Sequence, residues 1–464
     1  MRIPLKALGI AASLAAMTAL TPPATAQSFD EALALAYSNN PALRAQRASL
    51  RQTDEGVPQA LSGYRPTVTL QGDATRSYSE SSARAVGRED DYSSPYGLGL
   101  SVRQNLYDGS RTTARVDLAE ASVKAARARL VAQEQDVLLA AVTAYVTVLR
   151  DEAILQLNIS NEQVLRRQLE ATKDRFEVGE LTRTDVSQAE ARYAGAQGDR
   201  STAEGNLRAS RAQFTNVIGV PPEVLANPTN VGTLPPSLDD AINQALENHP
   251  DSIAADFDEQ AAEKGVDVTR GALLPSVDLQ GNLSRDWNSV GSGTQVEQAS
   301  IAAVVTVPLY QAGNVYSQVR ESKQQVLQVR LSRDAVRRNI VETATRAWEA
   351  LDIANARIRA FRSQINAARV ALDGVQREAQ VGSRTVLDVL DAEQELLDAK
   401  VSLVGAERDR LVAAFQLRES VGTLTARDLA LPTPLYDPTE NYRRVRDKWF
   451  GGDVENYDPA PGPN

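Results

Sequence analysis

The chain has 464 residues and no cysteine. That excludes a disulfide framework, a thiolate metal site and a cysteine nucleophile. It has one histidine, His249. There is no P-loop, zinc motif or nucleophile elbow, so neither an enzyme nor a cofactor is expected. Beyond the N-terminal segment no run of about 20 apolar residues occurs, which excludes a membrane-spanning helix. A soluble periplasmic protein and an outer-membrane β-barrel both remain open. Acidic residues outnumber basic ones, 60 to 50, for a net charge of −10. So acidic a chain is a poor partner for nucleic acid.

What is present begins with an export signal. Arg2 and Lys6 precede the apolar stretch 8–20, Pro22 and Pro23 break it, and Ala24-Thr25-Ala26 forms an A-x-A cleavage site. Residues 1–26 are read as a signal peptide, with the mature chain starting near Gln27. No cysteine follows the cleavage site to carry a lipid.

The remainder reads as two copies of one plan. "YRPTVTLQGDATR" (64–76) matches "LLPSVDLQGNLSR" (273–285), Pro66 falling on Pro275 and Gly72 on Gly281. Asn39–Pro41 matches Asn248–Pro250, which puts His249 opposite Asn40 and reads it as a polar residue beside a turn proline. Further on, "VGELTRTDVSQAE" (178–190) matches "VGSRTVLDVLDAE" (381–393), with Asp185 on Asp388. The halves are taken as 27–230 and 231–422, followed by a periplasmic tail at 423–464. The first half carries extra residues in a Ser-, Gly- and charge-rich segment (77–95), read as an exposed loop.

Each half holds two segments of period-two alternation. Tyr96, Leu98, Leu100, Val102 and Leu106 share one face, and Gly97, Gly99, Ser101, Arg103 and Asn105 share the other. Val68 and Leu70, Val277, Leu279 and Leu283, and Ile301, Ala303 and Val305 alternate likewise. Their length suits tilted membrane strands of about 9–11 residues. The predicted hairpins span about 64–107 and 273–310, with Tyr64, Tyr96, Tyr107, Trp287 and Tyr310 at their ends.

Everything else predicts helix. From Ser110 to Phe176 there is neither proline nor glycine, and 314–373 is equally unbroken. A helix of that length reaches roughly 100 Å. Shorter helices are predicted at about 29–61, 183–218, 238–271 and 386–421, so that two stacked end to end match one long helix. Each half becomes a rod with a β-hairpin at one end and the Val-Gly turn at the other. Four strands cannot close a membrane barrel, and open edges cannot face lipid, so the strands must be shared among chains. Two chains would give a filled barrel and three a water-filled one; the polar inner set favours the conduit.

With these features the chain resembles the TolC family of outer-membrane channel-tunnels. The resemblance rests on the duplicated Val-Gly segments, the "NNP" and "NHP" starts and "P-x-V-x-L-Q-G" before each hairpin. It implies a mostly α fold with a membrane β-barrel: a homotrimer with a shared 12-stranded barrel in outer-membrane lipid and a long α-helical barrel in the periplasm. It implies an exit duct for efflux or type I secretion, working with a periplasmic adaptor and an inner-membrane ABC or RND transporter. It also implies that Asp388 and Asp391 form a cation-binding constriction at the periplasmic entrance, and that Arg384 bonds Thr184 and Asp185 of a neighbouring chain to hold it shut. Val178–Gly179 and Val381–Gly382 become the adaptor docking tip. Ala379 departs from the family pattern, which has a tyrosine there, so one closing bond is missing.

The residues alone support a plainer account of Asp388: a first-turn carboxylate behind a Ser383 or Thr385 helix cap, as Asp185 stands behind Thr182 and Thr184. That account does not cover Asp391, whose counterpart is Gln188. The competing reading of the whole chain is a periplasmic adaptor or a trimeric coiled-coil structural protein.

Overall fold

The computed structural model of the protein describes residues 27–81, 89–228, 231–289 and 293–454. The expected signal peptide and the last ten residues lie outside that set. In chain order come α1 (Phe29–Asn39), α2 (Pro41–Asp54), α3 (Gly56–Leu61), β1 (Thr67–Ala74), β2 (Ser77–Ser81), β3 (Glu89–Ser93) and β4 (Tyr96–Tyr107). The long helix α4 (Arg111–Glu177) and its partner α5 (Arg183–Ile218) follow. Then come α6 (Leu238–Asn248), α7 (Pro250–Gly271), β5 (Ser276–Trp287), β6 (Gln295–Thr306), α8 (Asn314–Gln380), α9 (Val386–Ser420) and α10 (Glu440–Val445).

The two stretches without breakers form helices of equal length, 67 residues each. Each pairs with the helix that follows it, and the pairing surface repeats every seven residues. Ala189, Ala196 and Ala203 are buried along α5, Ile358, Ile365 and Leu372 along α8, and Ala399, Ala406 and Ala413 along α9. A seven-residue repeat keeps a stripe facing its partner only if the helices supercoil left-handedly, and alanine lets the backbones approach closely.

The expected helices 29–61 and 238–271 are each interrupted at Asn-Pro or His-Pro. Proline forces its predecessor out of the helical region: Asn40 sits at ψ 124 and His249 at ψ 126. Both then serve as caps, Asn40 Oδ1 accepting from the Ala42 amide at 2.9 Å and His249 Nδ1 from the Asp251 amide at 3.2 Å.

The main core lies at mid-height, where both halves and the tail meet. Phe29 packs edge-on to Tyr145 at 5.2 Å and against Phe415 at 5.4 Å, with Leu33, Leu138, Phe214 and Leu424 fully buried around them. Each such side chain contributes about 1.5–3 kcal/mol by leaving water. The Tyr145 hydroxyl lies 2.7 Å from the Ala226 carbonyl, which gives its buried proton a partner.

The four long strands form one antiparallel sheet in the order β1-β4-β5-β6. Leu70 pairs with Leu100 and Leu100 with Leu283, so the apolar positions line up across the strands. The expected loop at 77–95 instead contains the β2–β3 ribbon, with Ser77 opposite Ser93. Once β1 and β4 have brought its ends together, further pairing costs little loop-closure entropy. The segment after α9 packs back onto the body of the chain. Leu424, Ala426, Leu431 and Val445 are buried, and α10 packs on α2.

Candidate functional site: the helical tips and the membrane face

At the far end of each rod the chain reverses over a glycine. Gly179 and Gly382 both have φ +80, in the left-handed region. The Glu180 amide reaches back to the Arg175 carbonyl at 2.9 Å, and the Ser383 amide to the Glu378 carbonyl at 3.0 Å. This is a Schellman closure, and nothing crowds a Cβ at either position, so backbone conformation alone demands glycine. Val178 and Val381 beside them are 72% and 80% exposed.

The returning helices start with identical capping boxes. The Asp185 amide donates to Thr182 Oγ1 at 3.3 Å while the Thr182 amide donates to Asp185 Oδ2 at 2.9 Å. In the second copy the Asp388 amide donates to Thr385 at 3.2 Å, and the Thr385 amide to Asp388 at 2.9 Å. Thr385 is therefore the cap, and Ser383 instead donates to the Glu378 carbonyl at 2.9 Å. The Thr182 hydroxyl and amide hold the Asp185 carboxyl below its ordinary range. The Thr385 amide and hydroxyl do the same for Asp388.

Asp391 stands one turn further on, away from the cap. Its Oδ1 accepts from Arg192 of α5 at 2.6 Å, tying the second hairpin to the first. Beneath this pair Val386 and Leu390 pack with Leu165, Leu169, Ala189 and Ala196. Arg192 was not singled out from the sequence. Its counterpart at the same spacing is Glu395, so the charge reversal between the halves was the available signal. Arg384 bonds Glu378 of its own chain at 2.9 Å, and Thr184 lies exposed in the first turn of α5.

The other end is the membrane face. Val68, Leu70, Leu98, Leu283, Ile301 and Val305 are each more than half exposed on one face of the sheet. The opposite face carries Thr69, Gln71, Ser101 and Asn282, with Arg103 bonded to Asp278 at 2.9 Å. Tyr96 stacks on Trp287 at 5.1 Å at the distal edge, while Tyr64, Tyr107 and Tyr310 lie exposed at the proximal one. An apolar face between aromatic girdles has the chemistry of a membrane-embedded surface. Among the described residues β1 and β6 each have one unpaired edge.

Between these ends, a crevice of about 510 Å³ is lined by Asp136, His249, Asp251 and Glu419. Burial, then the neighbouring Asp136 and Asp251, pushes Glu419 up to about 7. Among the described residues no group of acidic or histidine side chains converges with metal-binding geometry.

The family model for outer membrane efflux proteins matches residues 32–220 and 241–423. The chain is 37% identical over 451 residues to the outer membrane efflux protein BepC of Brucella suis, covering 96% of each. It is 28% identical over 424 residues to the outer membrane protein TolC of Vibrio cholerae, covering 89% of this chain and 95% of that one. Among solved structures, the CmeC outer membrane channel of Campylobacter jejuni superposes with a TM-score of 0.77 at 15% identity, covering 90% of this chain and 89% of that one.

Proposed function

This chain belongs to the outer membrane efflux protein family, and from that premise we propose how its tips gate the duct and what they engage. The protein is a passive exit duct of the outer membrane with a large periplasmic portion, not an enzyme. One observation carries the rest of the reading. A sheet with one apolar face, one polar face and two open edges continues into helices roughly 100 Å long. The competing adaptor or coiled-coil reading would leave that apolar face in water, at a cost of about 25 cal/mol for each Å².

Three copies close the sheet into twelve strands, with β1 of one pairing β6 of the next. Twelve strands leave an aqueous lumen, whereas eight would be filled by side chains. At the other end the second hairpin, α8–α9, forms the movable part. Arg384 bonds Glu378 of its own chain in this structure, and its second partner in the reading is Asp185 with Thr184 of the neighbour. Exchange of the first for the second closes the entrance, and the reverse opens it. Asp388 from each chain keeps its negative charge at the constriction, because the capping bonds stabilise the ionised form. Asp391 adds charge there only when it leaves Arg192. Carboxylates so concentrated attract divalent cations.

The exposed Val178–Gly179 and Val381–Gly382 turns are the docking surface for a periplasmic adaptor. An inner-membrane transporter, of ABC or RND type, supplies the energy that the duct lacks. The test is single-channel recording in planar bilayers. Arg384→Ser is expected to raise conductance, and Asp388→Ala with Asp391→Ala to abolish block by divalent cations. Unchanged conductance and unchanged block would reduce both residues to helix caps and surface ion pairs. Crosslinking from Glu180 and Ser383 identifies the adaptor and, through it, the transporter class.

A further inference from the structure

The segment after α9 does not end at the main core. It climbs α2 and α4 towards the sheet. Asn441 Nδ2 donates to the buried Asp54 carboxylate at 2.9 Å, and Arg446 pairs with Glu120 of α4 at 3.4 Å. One turn later Arg65 donates to the Lys448 carbonyl at 2.8 Å, and its guanidinium lies over the Trp449 ring, 4.7 Å from the centroid. Arg65 precedes β1 by two residues, and its neighbour Tyr64 bonds Thr113 at the foot of α4, 2.7 Å away. Trp449 is thus fixed at the level of the proximal girdle formed by Tyr64, Tyr107 and Tyr310.

Its surroundings are unusual for this molecule. Trp449 is 58% exposed and Phe450 86%, with ring centroids 6.4 Å apart. Between Arg443 and Phe450 the chain carries Arg443, Arg444, Arg446 and Lys448 against the single acid Asp447, in a protein whose net charge is −10. Arg443, Arg444 and Lys448 are exposed. Two aromatic rings beside a cationic cluster, level with a membrane girdle, have the chemistry of an interfacial anchor. The rings favour the region between headgroup and acyl chain, and the cations favour lipid phosphate.

We propose that the 443–450 segment is a membrane-surface anchor, with Trp449 and Phe450 seated in the phospholipid leaflet that faces the periplasm and Arg443, Arg444 and Lys448 on its phosphates. The proposal rests on the embedding of the sheet in the outer membrane. The anchor sets the depth of each protomer from outside the barrel, because Arg65 couples it to the start of β1. A second copy of this chain would be the other candidate cover. The continuity of Trp449 with the lipid-facing girdle and the positive charge of the segment favour lipid.

The chain has three tryptophans, Trp287, Trp348 and Trp449, so each can be kept alone by Trp→Phe replacement in the full-length protein. The variants are reconstituted in vesicles of phosphatidylethanolamine and phosphatidylglycerol containing lipids brominated near the headgroup. Trimer migration on gels checks assembly. Trp449 emission is expected to be blue-shifted and to lose most of its intensity to brominated lipid. Arg443→Glu with Arg444→Glu should reverse most of that loss, leaving the trimer intact. Trp287 in the distal girdle reports the embedding itself. Quenching of Trp287 without quenching of Trp449 overturns the anchor alone. A Trp449 shielded from both brominated lipid and aqueous acrylamide also overturns it, and places a second copy there. Loss of quenching at both positions overturns the embedding and the anchor with it.

Discussion

Helices α4 and α8 have the same length and the same place in their halves, yet they are covered very differently. Of the large apolar side chains on α4 only Phe176 is exposed, at 42%. On α8, Tyr316, Leu327, Leu331, Ile353 and Val370 are exposed, between 47% and 72%. The sheet is symmetric instead: β4 and β5 have neighbours on both sides, while β1 of the first half and β6 of the second are both exposed along their whole length. Helix α4 is wrapped by α1, α2, α7 and the tail besides α5 and α9. Helix α8 packs on α6, α7 and α9, which leaves more of its surface open. In the assembly proposed above, the open face of α8 and the free edges of β1 and β6 form the seam with neighbouring copies.

Breaking that seam should have the largest effect. Leu331→Asp with Ile353→Asp removes two apolar contacts from each seam, each about 1.5–3 kcal/mol, and adds charge. Loss of the trimer is expected, with helix content unchanged, by light scattering and circular dichroism. A trimer that survives would show that α8 is not the seam.

Second in size is Glu419→Gln, at the crevice where α9 meets α4 and α7. Glu419 binds its proton more tightly folded than unfolded, its value moving from 4.5 to about 7. The proton therefore favours the folded state. No penalty exists below pH 4.5; it grows as pH rises and is complete above about 7. The Gln variant should be more stable than wild type at pH 8, by up to about 3 kcal/mol, and indistinguishable at pH 4. Thermal melting at both values checks this, and equal gains at both would sink it.

Gly179→Ala and Gly382→Ala come third. Each places a Cβ in the left-handed region at a cost of about 1–2 kcal/mol. Because the two turns share one geometry, the losses in urea unfolding should be equal. Only Gly382→Ala should also change conductance if the second hairpin is the movable one. The smallest effect is expected from Arg192→Ala. Its pair with Asp391 is half exposed and contributes under about 1 kcal/mol. Its removal should leave melting nearly unchanged while strengthening divalent-cation block, since it frees Asp391.

Much of the fold was legible because its signals are local. The absence of proline and glycine reads directly as α4 and α8, and period-two alternation reads as the four long strands. The Val-Gly turns read correctly because only glycine takes φ +80 without strain. The breaks at Pro41 and Pro250 were equally local, but a strong helical pattern on both sides of each proline obscured them. The choice of Thr385 over Ser383 as cap was not legible, since either hydroxyl stands within reach of the first turn. Arg192 was invisible for another reason. It lies 199 residues from Asp391 and meets it only because α5 and α9 pack side by side.

By itself the sequence determined the two long helices, the four long strands, the glycine turns and the need for more than one chain. Those follow from backbone stereochemistry and from a count of strands too small to close a barrel. Tertiary structure alone decided which charges pair at the tip, which helix remains uncovered, and where Trp449 comes to rest. Each of these depends on side chains brought together from distant parts of the chain, and no local propensity encodes that meeting.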